Sequence, residues 1–221
     1  MALKKIKHER QRLADIVYDQ LLEAIQSGAI SSEERLVQEK LAEEMQISRT
    51  PVREALLRLE QDGILTSSSR GGFSIHRMTN SEVKELYQAR AAIEGQAVRI
   101  LAVANDPGKN KDLRETIERE ENISSSSVRA YFEANRKIHR RMVELTDNRY
   151  LIEMFDNIWN RGVSYNLFAV IEKIDLSASF GDHIRLVEAI ETGNPTFAMD
   201  AIIDHITHGL ELQIEALEVK D

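Results

Sequence analysis

The chain has 221 residues, enough for one or two domains, and its 42% apolar and 30% charged residues are the balance of an ordinary soluble globular protein. It holds no cysteine, which excludes disulfides, thiolate metal sites and a cysteine nucleophile, and no run reaches the about 18 apolar residues of a spanning helix. The net charge of −8 is unevenly spread: 12 of 29 basic and 12 of 37 acidic residues lie in residues 1–77, leaving 17 basic against 25 acidic beyond, so the first part is neutral and the second acidic.

The first fifteen residues, MALKKIKHERQRLAD, carry basic residues with no apolar segment behind them, so a cytoplasmic protein without a membrane partner is expected. Residues 36–63, LVQEKLAEEMQISRTPVREALLRLEQDG, predict two short helices joined by a tight turn. Leu36, Leu41, Ala42 and Met45 give the first an apolar face, and Val52, Ala55, Leu56 and Leu59 recur at i, i+3, i+4, i+7 in the second. Thr50 is expected at the N-cap with Pro51 in the first helical position, and Gly63 at the left-handed C-terminal position. Ser48, Arg49, Thr50 and Arg53 then point away from the apolar stripe, as in a recognition helix whose N-terminal end enters the major groove. Arginine there can take guanine O6 and N7 together, while serine, threonine and the helix N-terminus suit phosphates. Ile64–Thr66 and Phe73–Ile75 flank a Ser- and Gly-rich turn, which predicts a two-stranded wing. Basic residues in the tail (Lys4, Lys5, Lys7, Arg10, Arg12), recognition helix and wing give a neutral domain local positive charge, whereas an acidic second domain is repelled by DNA.

The string SRTPVREALLRLEQDGIL closely resembles the winged helix-turn-helix signature of the GntR family of bacterial transcription regulators, and the helix from Arg12 to Ile30 resembles the one before the motif there. The resemblance implies double-stranded operator DNA as partner, touched by Ser48, Arg49, Thr50, Arg53 and a wing tip at Arg70 and Gly71. Two positions depart from the family. Glu39 stands where the first helix often supplies an arginine, with Lys40 beside it as the substitute cation, and Gln46 stands where the turn usually has glycine. A left-handed glutamine there is strained by about 1 kcal/mol.

Thr79-Asn80-Ser81-Glu82 reads as a capping box opening a new helix, which sets domains of 1–77 and 78–221. From there only helical segments are predicted, about 80–104, 109–122, 126–146, 149–172, 177–192 and 195–218, with breaks at Asn105–Gly108 and Gly193–Pro195. The expected fold is therefore mainly α: an N-terminal winged helix-turn-helix and a C-terminal six-helix antiparallel bundle. The second part resembles the all-α, FCD-type effector-binding domain of the FadR subfamily in its shorter, VanR-like form.

Asn135 and His139 lie one turn apart on a face shared with Phe132, Met142, Val143 and Thr146. His183 sits with Leu186, Val187 and Ile190, and His205 with Ala198, Ala201, Ile202, Gly209 and Leu212, whereas His208 has Asp204, Glu211 and Glu215 around it and faces outward. One such histidine is most often a core residue with a satisfied hydrogen bond. Three on separate helices are costly to bury together unless a divalent cation takes their lone pairs. The resemblance adds that FadR-type domains use Asp or Asn four residues before a histidine and two further histidines, the last pair 22 residues apart, as His183 and His205 are. It thus implies Asn135, His139, His183 and His205 as ligands of a divalent metal, zinc first, with nickel or manganese as alternatives. Asparagine in place of aspartate leaves the site one negative charge poorer, so it should hold metal less tightly and an anion more readily. Arg90 is the implied anchor for a small carboxylate effector, with an ordinary i, i+4 ion pair to Glu94 as the competing reading.

The expectation is a homodimeric regulator, a repressor, whose operator binding responds to an organic acid at the metal, and not an enzyme. A purely structural metal without effector is one alternative. A metal-dependent hydrolase is another, disfavoured because no HExxH helix occurs and Glu144, five residues past His139, faces elsewhere. His8 and His76 belong to no constellation, and Trp159 and Tyr165 fit core or interface packing.

Overall fold

The computed structural model of the chain describes residues 13–26, 29–31, 33–69, 71–122, 128–160 and 182–218. It divides into two compact units, Met1–His76 and Arg77–Asp221.

In the first unit the described elements are α1 (Leu13–Gln26), α2 (Gln38–Glu44), α3 (Arg49–Gln61), β1 (Leu65–Ser67) and β2 (Phe73–Ile75). α1 turns Val17, Leu21 and Ile25 toward Val52, Ala55, Leu56 and Leu59 of α3, the last four wholly buried, and Leu36, Leu41, Ile64 and Leu65 complete this core. Burial of each larger aliphatic side chain contributes about 1.5 to 3 kcal/mol. α1 is described as far as Gln26, with 27–28 outside the described residues, and Ile30, its expected end, is not helical: its amide bonds back to Ala24 O at 3.0 Å. The expected start at Arg12 lies outside the described residues.

Two glycine-like turns frame α3. Gln46 takes the left-handed conformation (φ +53°), which lets its amide reach Glu43 O and the Ile47 amide reach Ala42 O at the end of α2. Gly63 (φ +74°) does the same after α3, donating to Glu60 O. The helix begins two residues earlier than the sequence suggested: Ser48, extended, holds the N-cap position, Arg49 is the first helical residue, and Thr50 is inside the helix rather than its cap. Both residues are cap-competent. Pro51 is accommodated because first-turn amides have no intrahelical partner.

The wing is an antiparallel pair with Leu65 opposite Ile75 and Ser67 opposite Phe73. Leu36 adds a bridge to Phe73, with reciprocal amide–carbonyl bonds of 2.8 Å. Gly72 is demanded twice over: its φ is +78°, and a Cβ would stand 2.6 Å from Leu36 O.

The second unit contains α4 (Asn80–Ala104), α5 (Pro107–Glu121), α6 (Val128–Glu144), α7 (Arg149–Asn160), α8 (His183–Glu191) and α9 (Pro195–Glu218), with no strand among the described residues. α4 opens with the expected capping box, Thr79 and Glu82 exchanging backbone and side-chain bonds, and ends at left-handed Asn105. α5 begins at Pro107, two residues ahead of expectation, because Asp106 caps the amides of Gly108 and Lys109 and Pro107 takes the first helical position. Of the expected helices 149–172 and 177–192, the parts at 161–181 lie outside the described residues, as do Tyr165 and Ser124–Ser127.

α4 is the axis of this bundle, touching α6, α7, α8 and α9. That position explains why a helix with charged residues buries Arg90 and Glu94 together with Ile93, Ala97 and Val98. Phe132, Phe155 and Trp159 pack ring against ring beside it, with centroids 5.5 to 5.6 Å apart.

Candidate metal centre and nucleic-acid interface

Ser48, Arg49, Thr50 and Arg53 all lie exposed at the N-terminal end of α3, on the side opposite its buried stripe. α2 braces this end. Gln38 Nε2 donates to Arg49 O at 3.1 Å, and Glu39 Oε1 accepts from Arg49 Nη1 at 3.3 Å. Gly71 is exposed in the wing turn (φ +83°), where its carbonyl accepts from Arg35 Nε. Arg70 and the basic tail lie outside the described residues.

In the second unit α6, α8 and α9 bring three imidazoles together. The ligand atoms of His139, His183 and His205 lie within 4.8 Å of one another. His139 and His183 are wholly buried, and Asn135, one turn before His139, is 4% exposed. His139 Nε2 is 3.3 Å from His183 Nε2 and 3.2 Å from His205 Nε2, and Asn135 Oδ1 is 3.0 Å from His183 Nε2. All four predicted metal residues therefore meet. His208 faces outward, half exposed beside Glu211.

Two carboxylates complete the cluster from outside. Glu94 Oε2 lies 2.6 Å from His139 Nδ1, and Glu121 Oε1 lies 2.8 Å from His183 Nδ1. Burial opposes ionisation of Glu94, but the Arg90 guanidinium and His139 outweigh it and hold its carboxyl down at about 2. Burial drives His139 down to about 4 against the pull of Glu94, so its ring is neutral near pH 7. Burial, reinforced by His139 and His183, also pushes His205 well down. An ionised Glu94 accepts the Nδ1–H of the neutral His139 ring, which leaves a bare lone pair on its Nε2, and Glu121 stands beside the corresponding nitrogen of His183. That lone pair faces His183 Nε2 at 3.3 Å and His205 Nε2 at 3.2 Å, with the Asn135 amide oxygen beside His183.

Three ring nitrogens and an amide oxygen converging in one buried place suit a cation. The spacings agree: two nitrogens each about 2.0 to 2.1 Å from one tetrahedral zinc are about 3.3 to 3.4 Å apart. The donor set also fits, with neutral imidazoles and an amide oxygen inside and carboxylates orienting the rings outside.

Arg90 stands at the edge of this cluster. Its Nε donates to Glu94 Oε1 at 2.9 Å, and its guanidinium lies 4.5 Å from the Trp159 ring centroid and 4.9 Å from that of Tyr87. Trp159, expected as packing, also stacks on His139 with centroids 5.9 Å apart. The orienting roles of Glu94 and Glu121 were missed in the sequence. Glu94 was visible solely as a partner of Arg90, and Glu121, 62 residues from His183, gave no signal.

An exposed recognition-type helix end with a wing, followed in the chain by a helical unit that encloses a histidine cluster, is the architecture of a DNA-binding regulator. Residues 13–75 match the bacterial regulatory proteins of the gntR family and residues 85–208 match the FCD domain, so the chain belongs to the GntR family of DNA-binding transcriptional regulators, with an FCD effector domain, and is not an enzyme. It is 28% identical over 208 residues to the uncharacterized HTH-type transcriptional regulator YdhC of Bacillus subtilis, covering 91% of each chain. It is 27% identical over 198 residues to the probable D-xylose utilization operon transcriptional repressor of Paenarthrobacter nicotinovorans, covering 89% of this chain and 87% of the relative. The solved structure of E. coli McbR/YncC superposes with a TM-score of 0.70 at 23% identity, covering 93% of this chain and 99% of that one, a likeness of fold.

Proposed function

We propose that the protein is a homodimeric, cytoplasmic repressor whose hold on its operator is set by a small carboxylate bound at a divalent metal, with Asn135, His139, His183 and His205 as the ligands and zinc as the ion. The observation that carries the metal is the convergence of His139 Nε2 on His183 Nε2 at 3.3 Å and on His205 Nε2 at 3.2 Å inside a buried cluster. Four protein ligands fill a tetrahedral zinc, so an organic acid would join by expanding the ion to five-coordination, where a bound metal would supply a Lewis-acidic anchor. Arg90 is the second anchor, through guanidinium N–H groups other than the Nε given to Glu94.

In this reading residues 1–77 read DNA through Ser48, Arg49, Thr50, Arg53, Arg70 and Gly71, and residues 78–221 sense the acid and dimerise. The repressor assignment is supported by the name of the Paenarthrobacter relative. Coupling of about 1 to 3 kcal/mol between acid and operator suffices for control. The test is a thermal-shift screen of the zinc-loaded protein against carboxylates, followed by operator binding with any hit. A hit that shifts melting and loosens DNA supports the proposal. A flat panel with zinc bound would leave the metal structural.

A further inference from the structure

We infer that Glu39 is a specificity-determining residue of the DNA-reading surface, acting by holding the Arg49 guanidinium off phosphates and presenting it to a base. The inference rests on the reading of the α3 N-terminus as the groove-entering end. Consecutive residues of α2 grip Arg49 at two points: Gln38 fixes its backbone carbonyl at 3.1 Å, and Glu39 fixes its Nη1 at 3.3 Å. The ion pair is not there for stability. Its members are 67% and 56% exposed, and pairs so exposed add little to folding.

What the pair can do is orient. A guanidinium has five N–H donors, and Glu39 takes one, leaving enough for a bidentate contact to guanine O6 and N7. A carboxylate beside those donors also repels the nearest phosphate. An arginine that would otherwise settle on any backbone oxygen is thereby reserved for a base edge. Removing the carboxylate should therefore strengthen sequence-independent binding and weaken discrimination.

The experiment uses the full chain and an operator selected by the wild type from a randomised duplex library. Affinities for that operator and for random duplex are measured by anisotropy between 50 and 200 mM salt, for wild type, Glu39→Ala, Glu39→Gln, Arg49→Ala and the double variant Glu39→Ala/Arg49→Ala. Both Glu39 variants are expected to bind random duplex about five-fold more tightly. Their log–log salt slope should steepen by about one ion, and their operator preference should fall. In the Arg49→Ala background Glu39→Ala should leave the operator-to-random ratio unchanged, with only the direct relief of phosphate repulsion remaining. An unchanged operator-to-random ratio in Glu39→Ala, or a fall in that ratio that persists without Arg49, overturns the inference. Full discrimination by Arg49→Ala would instead overturn the reading of that helix end on which it rests.

Discussion

Glu94 Oε2 lies 2.6 Å from His139 Nδ1 while Glu94 Oε1 accepts from Arg90 at 2.9 Å, so one buried carboxylate on α4 ties an imidazole of the histidine cluster on α6 to a guanidinium. Each member makes the others tolerable. A lone carboxylate without any exposure would be protonated or expelled, whereas here Arg90 balances its charge and His139 uses its second oxygen.

Arg90→Met should therefore cost far more than loss of an exposed pair. It strands the Glu94 carboxylate in the core, for which about 3 to 5 kcal/mol is expected in urea unfolding. Lys111→Ala, which breaks an exposed pair with Glu115, should cost under about 1 kcal/mol. Equal costs for the two would mean that water reaches Glu94.

Glu121→Gln tests the orienting role without stranding a buried charge, because Glu121 is partly exposed. Zinc affinity, read by competition with a chromophoric chelator, should fall about 10- to 100-fold as His183 loses its carboxylate partner. Secondary structure by circular dichroism should stay intact. An unchanged dissociation constant would reduce the Glu121–His183 contact to packing.

Zinc itself should stabilise the protein. At 100 times its dissociation constant it adds about 2.7 kcal/mol. For a unit of this size that raises the melting temperature by roughly 5 to 10 °C. His183→Ala should abolish the shift, and Asn135→Asp, which restores a negative charge, should enlarge it at a fixed sub-saturating zinc concentration. A zinc shift that survives His183→Ala would place the ion elsewhere.

Local chemistry was readable in the sequence and long-range pairing was not. The capping box at Thr79 and Glu82 and the left-handed Gly63 depend on neighbours within a few residues, and both stand as expected. The N-cap of α3 was misplaced because Ser48 and Thr50 can both cap and Pro51 suits any first-turn position. Asp106-Pro107 was taken as a break when it is also the start of a helix. The histidines announced themselves by lying on apolar faces. Glu121, at the C-terminal end of α5, meets His183 through helix packing alone, which no periodicity encodes.

Gly72→Ala should damage the wing specifically. The new Cβ would meet the backbone oxygen of Leu36 at 2.6 Å, and that oxygen is fixed by the Phe73 amide, so neither side can yield cheaply. Hydrogen exchange should report faster exchange at the Phe73 and Leu36 amides, with amides of α4 unaffected. Protection equal to wild type at Phe73 would show that the strand pair shifts to accommodate the methyl group.

Gln46→Gly is the opposite case, a substitution expected to stabilise. Gln46 is exposed, and its φ of +53° sets a Cβ where L-residues lose about 1 kcal/mol. Glycine removes that strain but enlarges the entropy of the unfolded chain, which offsets about 0.4 to 1 kcal/mol. The net gain should thus lie between zero and about 0.6 kcal/mol, seen as a higher urea midpoint at unchanged slope. Gln46→Ala keeps the Cβ and should gain nothing, so the difference between the two variants isolates the backbone contribution. Asn105→Gly should gain less than Gln46→Gly, since asparagine tolerates the left-handed region better. A loss on Gln46→Gly, with Gln46→Ala neutral, would mean that chain entropy outweighs strain at this turn and that glutamine there costs the fold nothing.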